Sequence, residues 1–116
     1  ACALVHAGRE TPLESWSAVC FHEWGLPLPQ FQFVVTDLGG RFVGRVDFLW
    51  EGFGLIGEAD GALKYSDHEA IYTEKRREDR LRELGFRVIR WGWSDLRRPD
   101  QLRRRLEVAL GVPTRG

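Results

Sequence analysis

The sequence predicts an α/β domain with a mixed four-stranded sheet flanked by helices, in the order α-β-β-β-α-β-α. Short runs rich in Val, Phe and Trp, separated by turns that contain Gly, predict the strands. Capping residues before stretches with apolar residues at helical spacing predict the helices. A strand-helix-strand unit in the second half requires some parallel pairing.

The first half predicts a helix followed by an antiparallel meander. The helix begins near Thr11 and Pro12, because Thr caps a helix and Pro suits its first position, and it ends at Gly25. Gly-containing turns join the next three apolar runs, so they form consecutive antiparallel strands. These strands cover residues 30–36, 41–49 and 54–60.

The second half adds a helix, a strand and a final helix. Ser66 and Glu69 have the spacing of a capping box, which predicts a helix over 67–84. Residues 86–91 form a strand that is apolar on both faces, which predicts an internal position in the sheet. The last helix begins at Pro99.

Length and composition indicate one domain within a longer protein. The 116 residues suit a single core over 11–112, with short tails at 1–10 and 113–116. The chain lacks Met, so we expect residues 1–10 to follow an upstream region. Its apolar runs are too short to span a membrane, and it shows no signal peptide. Two cysteines without metal-like spacing fit a reducing, cytoplasmic location.

The charge is balanced overall but divided along the chain. Residues 1–74 hold 4 Lys/Arg and 11 Asp/Glu, whereas residues 75–116 hold 13 Lys/Arg and 6 Asp/Glu. Such a division suits an acidic site beside a basic surface that binds a polyanion. On charge alone, the better interpretation is that the two halves pair with each other.

Acidic residues gather on the central hairpin. Asp47 lies opposite the segment containing Glu58, and Glu58 and Asp60 share one face of their strand. Like charges facing each other across strands are destabilising, so this arrangement indicates a cation. Mg²⁺ takes carboxylate ligands, a nearby lysine such as Lys64 can hold an attacking water, and Glu14 can add a carboxylate from the first helix.

Each of these residues also has a structural interpretation. Asp47 is an acid at a strand end, and Glu58 and Asp60 suit the solvated face of an edge strand. Lys64 suits a solvated surface position. Glu14 suits the first turn of a helix, where a carboxylate is favourable.

Together the motifs resemble the PD-(D/E)XK nuclease superfamily. The run Gly-Arg-Val-Asp-Phe at 44–48 is followed after ten residues by Glu-Ala-Asp-Gly at 58–61. The resemblance is closest to a branch of uncharacterised domains related to very-short-patch-repair (Vsr-type) endonucleases. It covers residues 11–110 and includes Glu14-Ser15, Val46-Asp47, the segment 58–64, and Lys75-Arg76-Arg77-Glu78-Asp79-Arg80-Leu81 with Gly85, Val88 and Arg90.

The resemblance implies a restriction-endonuclease-like core and hydrolysis of DNA with Mg²⁺ or Mn²⁺, in repair or defence. Asp47 and Glu58 would bind metal together with Glu14, Asp60 would extend the catalytic site, and Lys64 would assist the water. The usual lysine of the superfamily follows its acid by two positions, where this chain has Asp60. Lys64 stands where many relatives of the branch have His.

The middle of the second predicted helix is basic. Lys75, Arg76, Arg77 and Arg80 are predicted to contact DNA phosphates, which gives affinity without sequence preference. The alternative, weighed evenly, is a solvated helix with ion pairs such as Glu74 with Arg77.

Two other functions are consistent with the sequence. The chain can be a catalytically inactive nuclease-like module that binds DNA or protein, attached to a regulator or antitoxin. It can also be an assembly domain whose charged halves and tryptophans pack against a partner. The expected partners are DNA, an upstream domain and a second copy of the chain, with no membrane. Stacking on bases is considered for two tryptophans, but core packing is preferred for both, Trp91 and Trp93.

Overall fold

The computed structural model describes residues 12–59 and 68–112, and it confirms the mixed four-stranded sheet flanked by helices. The predicted order of elements is also confirmed, with one added short helix after the last strand. The elements are α1 (Pro12–Glu23), β1 (Gln30–Thr36), β2 (Phe42–Trp50), a 3₁₀ turn (Glu51–Phe53), β3 (Leu55–Ala59), α2 (His68–Glu83), β4 (Arg87–Trp91), α3 (Trp93–Arg97) and α4 (Pro99–Leu110).

The strands lie in the order β1-β2-β3-β4. β1, β2 and β3 pair antiparallel, and β4 runs parallel to β3, so the meander and the parallel pairing are both confirmed. The predicted internal position of β4 is wrong, because β4 is an edge strand. β4 is apolar because helices cover both of its faces. Val88 packs in the core cluster that contains Leu81 of α2, and Ile89 packs in the cluster that contains Leu106 of α4.

The larger core lies on the sheet face covered by α1 and α4. The Phe21 ring of α1 meets three aromatic rings of the sheet at centroid distances of 5.1–5.6 Å, contributed by Phe48, Trp50 and Trp91. Trp91 is therefore in the core, as the sequence predicts. Trp93 is not: it is 40% exposed and lines an open cleft with Trp16, because it lies beyond the end of β4.

A buried hydrogen bond fixes α1 against the sheet. The Trp91 indole N–H donates to Ser17 Oγ at 2.8 Å, and that hydroxyl donates to the Leu13 carbonyl at 2.7 Å. Both side chains are buried, so the indole has its partner without water. This contact positions the first turn of α1, which carries Glu14, near the sheet.

Several predicted residues lie outside the described residues. They include the caps Thr11 and Ser66, the site residues Asp60 and Lys64, and both tails. Within 12–59 and 68–112, no helix combines the length and apolar character needed to cross a membrane.

Candidate functional site

Asp47 and Glu58 lie side by side on β2 and β3. Phe48 pairs with Gly57, so the next position of the hairpin brings Asp47 to Glu58. The Asp47 N–H donates to Glu58 Oε2 at 3.3 Å, and the Ala59 N–H donates to Asp47 Oδ2 at 2.9 Å. Each carboxylate therefore accepts a hydrogen bond from a backbone N–H of the neighbouring strand where the β2–β3 pairing ends. These bonds hold the two carboxylates next to each other.

Glu14 brings a third carboxylate to this pair. It is buried in the first turn of α1, and its negative charge is close enough to the Asp47 carboxyl to raise the pKa of that group. The Gln32 side-chain amide donates to Glu14 Oε2 at 2.6 Å. We call Glu14, Asp47 and Glu58 the acidic cluster; three separate elements supply it.

Gln32 belongs to the site, and the sequence analysis missed it. β1 and β2 are paired on both sides of Gln32, which places it opposite Asp47. Its φ is +51°, a left-handed conformation that costs a non-Gly residue about 1–3 kcal/mol and is concentrated at functional sites. A glutamine in an alternating strand suggests a solvent-facing position, so the sequence carries no signal for this role.

Arg77 of α2 reaches into the acidic cluster. Its Nη2 lies 2.6 Å from Glu58 Oε1 and also donates to the Arg45 carbonyl, while its Nη1 lies 3.0 Å from Glu74 Oε1. Glu58 is only 5% exposed, so this charge-assisted bond is largely shielded from water. The Glu74–Arg77 pair considered from the sequence is present, and Arg77 serves as an internal counter-ion.

A glycine makes room for this arginine. A Cβ added to Gly44 would lie 2.8 Å from Arg77 Nε, which is closer than real Cβ atoms approach other groups, and 3.4 Å from Arg77 Cδ. The stem of Arg77 therefore crosses β2 where β2 has no side chain, and this passage lets the guanidinium reach Glu58.

Burial and mutual repulsion perturb the acidic cluster. Burial raises the pKa of Asp47 to about 6, and the negative charge of Glu14 adds to the effect. Burial also raises the pKa of Glu58 to about 7, although the Arg77 guanidinium opposes the rise. Because the two groups touch, they titrate as a pair. A cation bound between them would favour the ionised forms and release protons.

The predicted basic residues separate into two places. Arg76, Arg77 and Arg80 line a cleft between α2 and β2. Lys75 lies instead beside a small hollow with Glu78 and Arg90, among ion pairs that neutralise one another.

The donor chemistry of the acidic cluster fits Mg²⁺ or Mn²⁺. Mg²⁺ is usually bound by one or two carboxylates plus water and substrate phosphate, and Asp47 and Glu58 supply two adjacent carboxylates. Within the described ranges, no three His, Cys, Asp or Glu side chains are arranged to hold a metal ion. Glu58 turns one oxygen to Arg77, and Glu14 turns one to Gln32.

Among known proteins, no family model matches the chain. Two uncharacterized proteins of Mycobacterium tuberculosis, from strains CDC 1551 / Oshkosh and ATCC 25618 / H37Rv, are each 31% identical over 98 residues. The alignment covers 84% of this chain and 36% of each relative, so the chain spans about a third of the length of these relatives.

A solved structure is similar over most of the chain. It is the catalytic domain of the homing endonuclease I-Bth0305I, which superposes with a TM-score of 0.64 at 21% sequence identity. The match covers 86% of this chain and 94% of that domain. The described α/β architecture is thus the fold of an endonuclease catalytic domain.

Proposed function

We propose that this domain is a metal-dependent nuclease that hydrolyses DNA phosphodiester bonds at the acidic cluster. The observation that carries the proposal is the Asp47–Glu58 pair, a half-buried and a buried carboxylate that lie side by side with raised pKa values in an endonuclease-like fold. Carboxylates whose pKa values are perturbed by burial and by a neighbouring charge are concentrated at functional sites. The resemblance to the Vsr-type branch of the PD-(D/E)XK superfamily, and a role in repair or defence, are parts of the same proposal.

Asp47, Glu58 and Glu14 are the residues that would hold Mg²⁺ or Mn²⁺. When bound, the ion polarises a phosphoryl oxygen and lowers the pKa of a water. The chain orients these ligands before any ion arrives. The Ala59 N–H fixes Asp47, and Gln32 fixes Glu14.

Arg77 has two roles in this proposal. It orients Glu58 and offsets the charge of the acidic cluster, and it presents a guanidinium at the wall of the cleft where a phosphate would approach. Asp60 as an extension of the site, and Lys64 as the group that holds the attacking water, remain predictions from the sequence.

A catalytically inactive binding module is the second candidate. The Arg77–Glu58 ion pair favours it, because a guanidinium already neutralises one of the two central carboxylates. In that case the fold would bind DNA or protein without turnover, as part of a longer protein.

A cleavage assay separates the two candidates. Supercoiled plasmid and nicked or mismatched duplexes are incubated with the protein in Mg²⁺, Mn²⁺ or EDTA, and metal binding is measured by calorimetry. Asp47→Asn should abolish both cleavage and metal binding, because the neutral amide removes a central ligand. Asp79→Asn, which neutralises an exposed acid of α2, is the control and should cleave normally.

Cleavage that persists in Asp47→Asn, or that is equally fast in EDTA, would contradict the nuclease proposal. DNA binding without turnover in any metal would support the inactive module.

A further inference from the structure

A basic cleft lies between α2 and the start of β2, next to the acidic cluster. Its volume is about 530 Å³. Arginines are its charged lining residues, and no Asp or Glu of the described ranges lines it. The lining residues are Phe42, Val43, Gly44 and Arg45 from β2, and Tyr72, Thr73, Arg76, Arg77 and Arg80 from α2.

Most of this positive charge faces solvent without an internal counter-ion. Arg45, Arg76 and Arg80 are exposed. Within the described parts of the chain, no carboxylate forms an ion pair with them, whereas Arg77 and Arg90 each form two. Three exposed guanidinium groups in one cleft, none of them ion-paired with a carboxylate of the described residues, are complementary to a polyanion.

Two exposed aromatic rings accompany the arginines. Phe42 is 64% exposed on the β2 wall, and Tyr72 is 62% exposed on the α2 wall. The guanidinium carbon of Arg76 lies 5.8 Å from the centre of the Tyr72 ring. Exposed rings and guanidinium planes are platforms on which unpaired bases stack, whereas the bases of an intact duplex keep their faces covered.

The cleft is continuous with the candidate active site through Arg77. This residue lines the cleft, and its guanidinium bonds Glu58 of the acidic cluster at 2.6 Å. A strand lying in the cleft would therefore run toward the carboxylates.

We propose that the cleft binds an unpaired stretch of a nucleic-acid strand. Its phosphates contact Arg45, Arg76 and Arg80, and its bases stack on Phe42 and Tyr72. Where the domain is a nuclease, as proposed above, this assigns its substrate class as DNA with a single-stranded or unpaired segment. The binding itself does not require turnover.

The test is fluorescence anisotropy with a labelled oligothymidylate of about 20 nucleotides and a blunt duplex of the same length. The protein is the full chain carrying Asp47→Asn, so that cleavage does not interfere. Affinities are measured between about 50 and 200 mM salt, because each phosphate contact contributes to the salt dependence.

Removing charge from the cleft should weaken single-strand binding. The double variant Arg76→Gln/Arg80→Gln should bind about tenfold more weakly and should lower the salt slope by about 1.4, which is two single-strand contacts. The matched control is Arg104→Gln/Arg105→Gln, which removes the same charge from exposed positions of α4 and should leave affinity unchanged.

Removing the Tyr72 ring should also weaken binding of the single strand. Tyr72→Ala should lose about fivefold or more of the affinity for the single strand, and Tyr72→Phe should retain it, because stacking requires the ring and not the hydroxyl. These residues are exposed, so the variants are expected to fold, which circular dichroism checks.

Equal losses in the two double variants would overturn the cleft as the binding site. Tighter binding of the blunt duplex, with no effect of Tyr72→Ala, would overturn the unpaired strand as its occupant. Failure of the nuclease proposal looks different: the oligomer binds through Arg76 and Arg80, yet the wild-type chain cleaves nothing in either metal.

Discussion

Replacing Asp47 by Asn should stabilise the protein at neutral pH while abolishing its proposed activity. Asp47 is half-buried next to Glu14 and Glu58, and its pKa in the folded state is raised from 3.8 to about 6. A carboxyl whose pKa is higher in the folded than in the unfolded state makes folding less favourable once it ionises. Asn keeps the shape of the side chain and cannot ionise, so this cost disappears.

The pH dependence follows from the sign of the shift. Below about pH 3 the carboxyl is protonated in both states, and the substitution removes no charge repulsion. Between about pH 4 and 6 the folded protein keeps a proton that the unfolded chain loses, so wild-type stability falls as pH rises. Above about pH 7 the cost is constant.

The size of the effect is limited by solvent. Raising the pKa of Asp47 from 3.8 to about 6 lowers the free energy of unfolding by about 3 kcal/mol at most. Asp47 is only partly buried and shares its protons with its neighbours, and both effects reduce the value. We expect Asp47→Asn to gain about 1–2 kcal/mol at pH 8 and close to zero at pH 4.

Urea denaturation followed by circular dichroism at the two pH values measures this difference. Asp79→Asn is the control, because the side chain is exposed on α2, and it should change stability little at either pH. A loss of stability in Asp47→Asn at pH 8, or a gain of the same size at pH 4, would refute the argument.

Three further predictions concern the packing of Arg77, Trp91 and Cys20. Gly44→Ala should displace Arg77 from Glu58 and lower stability by about 1–3 kcal/mol. The control is Gly52→Ala, whose added Cβ meets nothing within 4 Å and which should have little effect. Thermal unfolding compares the two variants, and equal effects would refute the passage of Arg77 across Gly44. Ser17→Ala should lower the free energy of unfolding by about 1–3 kcal/mol, because the buried Trp91 N–H loses its acceptor. Urea denaturation measures the change, and an unchanged midpoint would contradict the Trp91–Ser17 hydrogen bond. Cys20 should react with a thiol reagent much more slowly in the folded chain than in urea, because burial raises the pKa of its thiol to about 11. The variant Cys2→Ser removes the other thiol, so that only the labelling of Cys20 is measured. Fast labelling of the folded chain would contradict the burial of Cys20.

Local patterns predicted much of the fold and the centre of the site. The alternating runs and Gly turns predicted the meander, and the hairpin register then placed Asp47 beside Glu58. Pro99 located the start of α4. These features depend on neighbours in sequence, so sequence patterns carry them.

The features that escaped prediction depend on tertiary contacts. β4 is apolar because helices cover both of its faces at the sheet edge, which a strand pattern does not distinguish from an internal position. The inward turn of Arg77 depends on the space above Gly44 on another element. Gln32 combines a left-handed backbone with a side-chain bond to Glu14 on another element, and no local signal marks either feature.

The passage of Arg77 across Gly44 links two positions that would otherwise vary independently. A side chain at position 44 is compatible with the fold only if the residue at 77 becomes shorter or turns outward, and either change leaves Glu58 without its counter-ion. Homologous sequences should therefore show correlated substitution at 44 and 77, with a compensating loss or replacement of the acid at 58. The residues at positions 44, 58 and 77 therefore offer a way to recognise related domains in which no arginine neutralises the acid at position 58.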